Sequence, residues 1–316
     1  MIIFKYLFGL CVIHSSAPVL AMALMAQADS SQCANHFAQS QKLLAEQQRS
    51  APAATTAGVA KRLPQSLAAP GQRDIAWAWL ASPTARYPHA SMGSPLHAAS
   101  LHVIGQDGRV ASVQLPKQRV FEDLQPRLVD MDGDGKDEII VIEADVERGA
   151  ALVAYGLPRA GNVLEERARS AYLGLPFRWL SPIGFADFDG DGKLDIASVT
   201  TPHIGGVLTL YLYTPPRIEP FAKAMDVSNH QMGDPNLQMH AILGWPSQRP
   251  TVIVPDMSRR ALHALRWEVI DGKAQWKELA DVKPLPARVN ILLPLNTLSA
   301  CAKLGDNSWW RIDLMP

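Results

Sequence analysis

Hydrophobic and polar residues alternate along most of this chain in short runs separated by turn formers, which is the period of strands rather than of helices. Asp74-Ile-Ala-Trp-Ala-Trp-Leu80 alternates, and Leu101-His-Val-Ile104 and Val110-Ala-Ser-Val113 flank Gln106-Asp-Gly-Arg109, a hairpin signature. Glu138-Ile-Ile-Val-Ile142 and Asp195-Ile-Ala-Ser-Val199 are rich in β-branched residues and predict buried strands. Thr251-Val-Ile-Val254 predicts another. Residues 261–267 and 274–279 predict a hairpin turning at Asp271-Gly272, and residues 289–295, 299–304 and 308–314 predict three further strands. Residues 34–49, with Phe37, Leu43 and Leu44 loosely on helical spacing, predict a short helix. Residues 50–60, rich in Ala, Thr and Pro, read as a linker.

Two acidic stretches interrupt this rhythm. Asp130-Met-Asp-Gly-Asp-Gly-Lys-Asp-Glu138 and Asp187-Phe-Asp-Gly-Asp-Gly-Lys-Leu-Asp195 carry carboxylates at positions one, three, five and nine and glycine at four and six. Carboxylates this crowded repel one another, and a turn holds them together only around something positive. A hard, oxygen-seeking cation, calcium above all, fits. The glycine at six allows the sharp turn, and the carbonyl of Lys136 or Lys193 adds an oxygen. An EF-hand would need glutamate at position twelve, where Val141 and Ser198 stand. The stretches start 57 residues apart, and their flanks repeat too. Pro126-Arg-Leu-Val-Asp130 precedes one and Pro182-Ile-Gly-Phe-Ala-Asp187 the other. Gly149-Ala-Ala-Leu-Val-Ala-Tyr155 follows one and Gly205-Gly-Val-Leu-Thr-Leu-Tyr211 the other. A unit of four short strands at this period is what a β-propeller blade requires.

The pattern resembles the FG-GAP / VCBS repeat family, calcium-decorated propeller blades similar to those of the integrin α-subunit head. The resemblance covers roughly residues 126–226 and implies a structural ion in a turn between the first and second strands of a blade. The expectation is thus an all-β chain: a β-propeller of four-stranded blades with a short N-terminal helix. Five units can be counted. The resemblance more often implies seven, and six stays open. The fourth unit's turn, Gly244-Trp-Pro-Ser-Gln-Arg249, has lost every carboxylate, and the fifth has three strands, its fourth to come from a segment before Asp74. Leu101, Leu152, Leu208 and Leu262 take equivalent places on the third strands and are expected in the core. The metal ligands are then Asp130, Asp132, Asp134, Lys136 and Glu138 in one turn, and Asp187, Asp189, Asp191, Lys193 and Asp195 in the other.

On such a disc, the connections between second and third strands, and between blades, lie opposite the ion turns. They bring Arg178, Trp179, His203, Asn229, His230, Asp256 and Arg259 toward one end of the channel, with Arg86, Tyr87 and His89 from the first unit. Planar arginine forks with histidines suit an anionic or hydroxyl-rich ligand, a protein or carbohydrate. The principal expectation is a non-catalytic binding module. The alternative is a polysaccharide-active hydrolase or lyase, with His203 or His230 as general base beside Asp256. No nucleophile elbow, zinc spacing or phosphate loop is present, and no catalytic residue is assigned.

Lys plus Arg equals Asp plus Glu at 30 each, so nothing in the charge balance suggests nucleic-acid binding. Lys5, an apolar stretch interrupted near Pro18, and Ala26-Gln27-Ala28 read as a targeting segment over residues 1–28, with Ala21-Met22-Ala23 a second cleavage motif. Residues 29–70 are then helix and linker, and 71–316 the propeller, in the periplasm or outside the cell and without a membrane span after cleavage. Cys11 follows the bulky Leu10, which argues against lipidation. Cys33 and Cys301, near opposite ends of an exported chain, suggest a disulfide, with two buried thiols as the alternative.

Overall fold

The computed structural model describes residues 23–29, 31–52, 60–244, 246–279 and 284–315, and among them the chain is all-β apart from one helix. It opens with strand β1 (Ala23–Ala28) and helix α1 (Gln32–Ser50). A first antiparallel meander follows: β2 (Ala69–Pro70), β3 (Ile75–Thr84), β4 (His97–Gly105) and β5 (Val110–Gln114). Short β6 (Arg119–Phe121) leads to a second meander, β7 (Arg127–Val129), β8 (Glu138–Asp145), β9 (Gly149–Gly156) and β10 (Glu165–Arg169). The third is β11 (Leu180–Ala186), β12 (Asp195–Thr200), β13 (Val207–Thr214) and β14 (Arg217–Met225). The fourth is β15 (Ala241–Leu243), β16 (Thr251–Pro255), β17 (Leu262–Ile270) and β18 (Lys273–Glu278), and the chain ends in β19 (Val289–Pro294), β20 (Ser299–Leu304) and β21 (Trp309–Met315).

The first three meanders are linked into one sheet because β6 pairs with both β4 and β8, and β10 touches β14 through Arg169 and Arg217. The fourth is a sheet of its own. The fifth is completed by β1, which runs antiparallel to β21. The fourth strand expected from a segment before Asp74 is therefore Ala23–Ala28, the stretch the sequence reading assigns to the end of the targeting segment. Its alternation explains the pairing: Leu24 lies opposite Leu314 and is buried in the apolar cluster that holds Leu292 and Ile312, and Met25 faces solvent.

Apolar layers lie between the sheets. One joins Val199 and Leu208 of the third meander to Val252 and Val254 of the fourth, and the next joins Ile253 and Ala264 to Leu292 and Ala302. Leu101, Leu152 and Leu208 are fully buried and Leu262 nearly so, as expected of that column. Helix α1 has a different basis. Cys33 is its one buried residue among those described, so its own apolar face cannot hold it. It is tethered instead. Cys33 is disulfide-bonded to Cys301 in β20, Phe37 packs on Trp309 with ring centroids 5.3 Å apart, and a ring nitrogen of His36 meets the Pro294 carbonyl at 3.0 Å. At its far end, Gln48 makes two hydrogen bonds to the backbone of Ala68 beside β2, at 2.8 and 2.9 Å. The helix thus runs from the last meander to the first. Residues 1–22 of the targeting segment and 53–59 of the linker lie outside the described residues. No helix among the described residues is long and apolar enough to cross a membrane.

Candidate metal centres and the opposite loops

The two acidic stretches are the turns between the first and second strands of adjacent meanders, β7 to β8 and β11 to β12. In each, short-range hydrogen bonds wind the backbone inside the carboxylates. Asp130 Oδ2 accepts the N–H of Gly135 at 3.1 Å, and Asp187 Oδ2 that of Gly192 at 3.0 Å. Asp132 and Asp189 each accept the N–H two residues on, as do Asp134 and Asp191. Gly135 and Gly192, at φ 84° and 87°, take a left-handed conformation that a side chain would strain.

The ninth-position carboxylate comes from the start of the second strand. Glu138 Oε2 accepts the Met131 N–H at 2.9 Å, and Asp195 Oδ2 accepts that of Phe188 at 3.0 Å. Oxygens of Asp130, Asp132 and Glu138 lie within 4.8 Å of one another, as do those of Asp187, Asp189 and Asp195. Burial, then the neighbouring aspartates, pushes both Glu138 and Asp195 up to about 7. Asp130 Oδ1 is buried without a hydrogen-bond partner among the described residues. Each group is therefore a set of hard oxygen donors that could hold a metal ion. Asp134 and Asp191 stand further out and are exposed, and the Lys136 ammonium sits 3.3 Å from Asp134 Oδ2.

Two arginines that the sequence reading did not single out touch these turns. Arg73, between β2 and β3, bridges Asp130 at 3.2 Å and Asp137 at 3.1 Å. Arg249, between β15 and β16, donates to the Asp189 carbonyl at 3.1 Å. Both occupy the connection equivalent to the acidic turn in a neighbouring unit. Extending the repeat alignment one unit back would have found Arg73, whereas Arg249 already closes the fourth unit's aligned turn and carried no local sign of its role.

At the other ends of the strands, several connections meet. Gly233 N–H donates to the Ser91 carbonyl, Phe177 N–H to the Tyr87 hydroxyl, and Trp179 Nε1–H to the Glu122 carbonyl. His230 Nε2–H donates to the Asp234 carbonyl at 2.7 Å, so its Nδ1 accepts from His203 Nε2–H at 2.8 Å, and His203 Nδ1 keeps a lone pair. Both rings are held neutral, pushed down to about 4 by burial first, with the positive charge of Arg259 adding to the effect. Trp179 is buried and stacks on His203. Asn229 is fully buried and donates to Ser181, and its Oδ1 has no partner among the described residues.

Arg259 reaches Gln231 at 2.7 Å from a backbone at φ 58°, and Arg178 bonds the Phe177 carbonyl. Asp256 is turned into its own loop, accepting from Ser258, Arg260 and Ala261. The structure thus joins His203, His230 and Trp179 in one cluster, with Arg259 beside it, while Asn229 and Asp256 have other partners. A second buried dyad was not foreseen. His89 Nδ1 meets Glu122 Oε1 at 2.6 Å, and the fully buried Glu122 is pushed up by desolvation against the opposing pull of His89. Phe121-Glu-Asp123 carries no periodic signal that would mark Glu122 as interior.

Comparison with curated proteins finds no match. A family model described as FG-GAP-like repeat matches residues 130–198. This stretch begins at the first carboxylate of one turn and ends just past the last carboxylate of the other, so the chain carries an FG-GAP-like repeat that spans both candidate metal centres.

Proposed function

We propose that this chain is an exported calcium-binding β-propeller acting as a non-catalytic binding module, with two structural ions on one side and a ligand site on the other. The observation that carries the metal reading is geometric: Glu138 and Asp195 each bring a carboxylate oxygen within 4.8 Å of those of two aspartates in an acidic turn. Folding buries each beside other acids, at a cost that a cation or a proton must offset. Asp130, Asp132, Asp134 and Glu138, with the Lys136 carbonyl, would hold one ion. Asp187, Asp189, Asp191 and Asp195, with the Lys193 carbonyl, would hold the other. Donors that are all oxygen favour calcium over softer metals, and the partnerless Asp130 Oδ1 suits a metal-facing atom.

The propeller reading is supported by five successive four-strand meanders, the last completed by β1. Export to the periplasm or beyond is supported by the Cys33–Cys301 disulfide and the leader-like N-terminus. For the ligand site, Arg178 and Arg259 have no carboxylate partner among the described residues and could pair with acidic groups of a protein or carbohydrate. Trp179, His203, Asn229, His230 and Asp256 complete the proposed site. Binding is preferred to hydrolysis because Asp256 is engaged in its own loop and does not orient either histidine.

Thermal melts with calcium and with chelator test the metal reading. Calcium raises the melting temperature of the wild type and does so less in Asp189→Ala, and identical melts throughout would sink it. Alanine at His203 and at Arg259 tests the other side. A binding module loses affinity, whereas an enzyme whose base is His203 loses turnover while holding its substrate.

A further inference from the structure

Strand β1 consists of residues that a peptidase cutting after Ala28 would discard. It pairs with β21 through six registered residues, from Ala23 opposite Met315 to Ala28 opposite Trp310. Leu24 is 5% exposed and belongs to the apolar layer between the last two sheets, where Ala26 also packs. The ladder continues past the strand, with Asp29 N–H donating to the Trp309 carbonyl at 2.9 Å. Asp29 Oδ1 then accepts the N–H groups of Ser31 and Gln32 and so fixes the entry to α1.

A mature chain starting at Asp29 would keep the helix entry and lose the whole strand. The last sheet would be left with three strands, and the outer edge of β21 would lose its partner over the six residues from Trp310 to Met315. Leu314 would lose its cross-strand partner Leu24, and Ile312 its partner Ala26. Ala21-Met22-Ala23 offers small residues at the same two positions relative to the cut and leaves Leu24–Ala28 in place.

We infer that the leader is removed after Ala23, and that Leu24 is the first residue of the mature protein. The end of the apparent targeting segment is then the beginning of the fold, and Ala26-Gln27-Ala28 is a strand that only resembles a cleavage motif. The exposed Gln27, reaching Asp313 at 3.5 Å, and the exposed Met25 sit on the outer side of that strand, as period-two alternation requires. This inference rests on the export reading given above.

The test is N-terminal sequencing and intact mass of the full chain, expressed with its own leader and recovered from the periplasm through a C-terminal tag. The expected terminus is Leu24. A periplasmic protein beginning at Asp29 overturns the inference and leaves export standing, whereas an unprocessed chain kept in the cytoplasm overturns both. Ala28→Asp is expected to be processed as the wild type is, and Ala23→Asp to be blocked or redirected; the reverse pattern overturns the assignment. Chains placed behind a foreign leader, one starting at Leu24 and one at Asp29, separate the structural reason from the cleavage chemistry. The shorter is expected to melt about 5 °C lower or more, and equal melting would remove the reason for keeping β1.

Discussion

The two acidic turns share their spacing, their glycines and their internal hydrogen bonds, yet they differ in what the neighbouring unit supplies. At the first, the Arg73 guanidinium lies against the position-one carboxylate itself, 3.2 Å from Asp130 Oδ2. At the second, Arg249 meets a main-chain carbonyl, and the hydrogen bonds to the Asp187 carboxylate among the described residues come from the Gly190 and Gly192 amides. The first turn therefore carries part of its own counter-charge, and Lys136 adds another on Asp134. In the second, burial and then the charges of Asp191 and Asp187 raise Asp189, while burial and then the charge of Asp189 raise Asp195. One motif thus has two charge balances, and the difference is set by a connection more than fifty residues away in sequence from either turn. The second turn should depend more on a bound cation than the first.

The largest expected effect sets the range in which this comparison can be made. His97, His203, His230 and His240 are all pushed down to about 4, chiefly by burial. A base whose folded value lies below its unfolded one contributes stability above about pH 6.5, which is lost as pH falls toward 4. Denaturant midpoints should therefore drop across that window, and His240→Leu, at a buried ring, should recover on the order of 2–3 kcal/mol at its acid end. Glu138 and Asp195, pushed up to about 7, act in the opposite sense without metal, so the profile is read with calcium present, where a flat one would mean that these rings are not buried neutral. The turns are best compared above pH 7.

There, Asp189→Ala should remove roughly 3 kcal/mol of calcium-dependent stabilisation at about a hundredfold excess over Kd, and Asp132→Ala visibly less. Equal losses in paired melts would erase the distinction between the turns. Arg73→Gln should act in the opposite sense. It destabilises the chelated protein and raises calcium affinity at the first turn about two- to fivefold, a small figure because Arg73 is 45% exposed. Calorimetry showing weaker binding would identify Arg73 as a support of the site and not a competitor. The smallest effect is Lys136→Met, under about 0.5 kcal/mol, because that pair is exposed on both sides.

What the sequence revealed follows from how local each signal is. The turns were legible because nine consecutive residues carry the whole pattern, and the Leu101, Leu152, Leu208 and Leu262 column because repetition aligned it. The Cys33–Cys301 pairing was legible from the count of cysteines in a chain whose N-terminus reads as a leader. Strand β2 was not, since two residues are too few to show a period. Neither was β1, whose Leu-Met-Ala-Gln-Ala alternation is short and ends in a motif with another meaning. Arg73 and Glu122 were missed for a related reason. Their roles depend on partners in other units, which no local periodicity encodes.

The bond between Cys33 and Cys301 spans 268 residues, and β1 likewise waits for β21. Ribosomes make the beginning of this protein first, so its opening segment has nothing to hold until the closing one exists. A chain stopped short of residue 299 would strand both a thiol and a ribbon of backbone. Neither the ladder nor the bond can form before the last sheet is there to receive it.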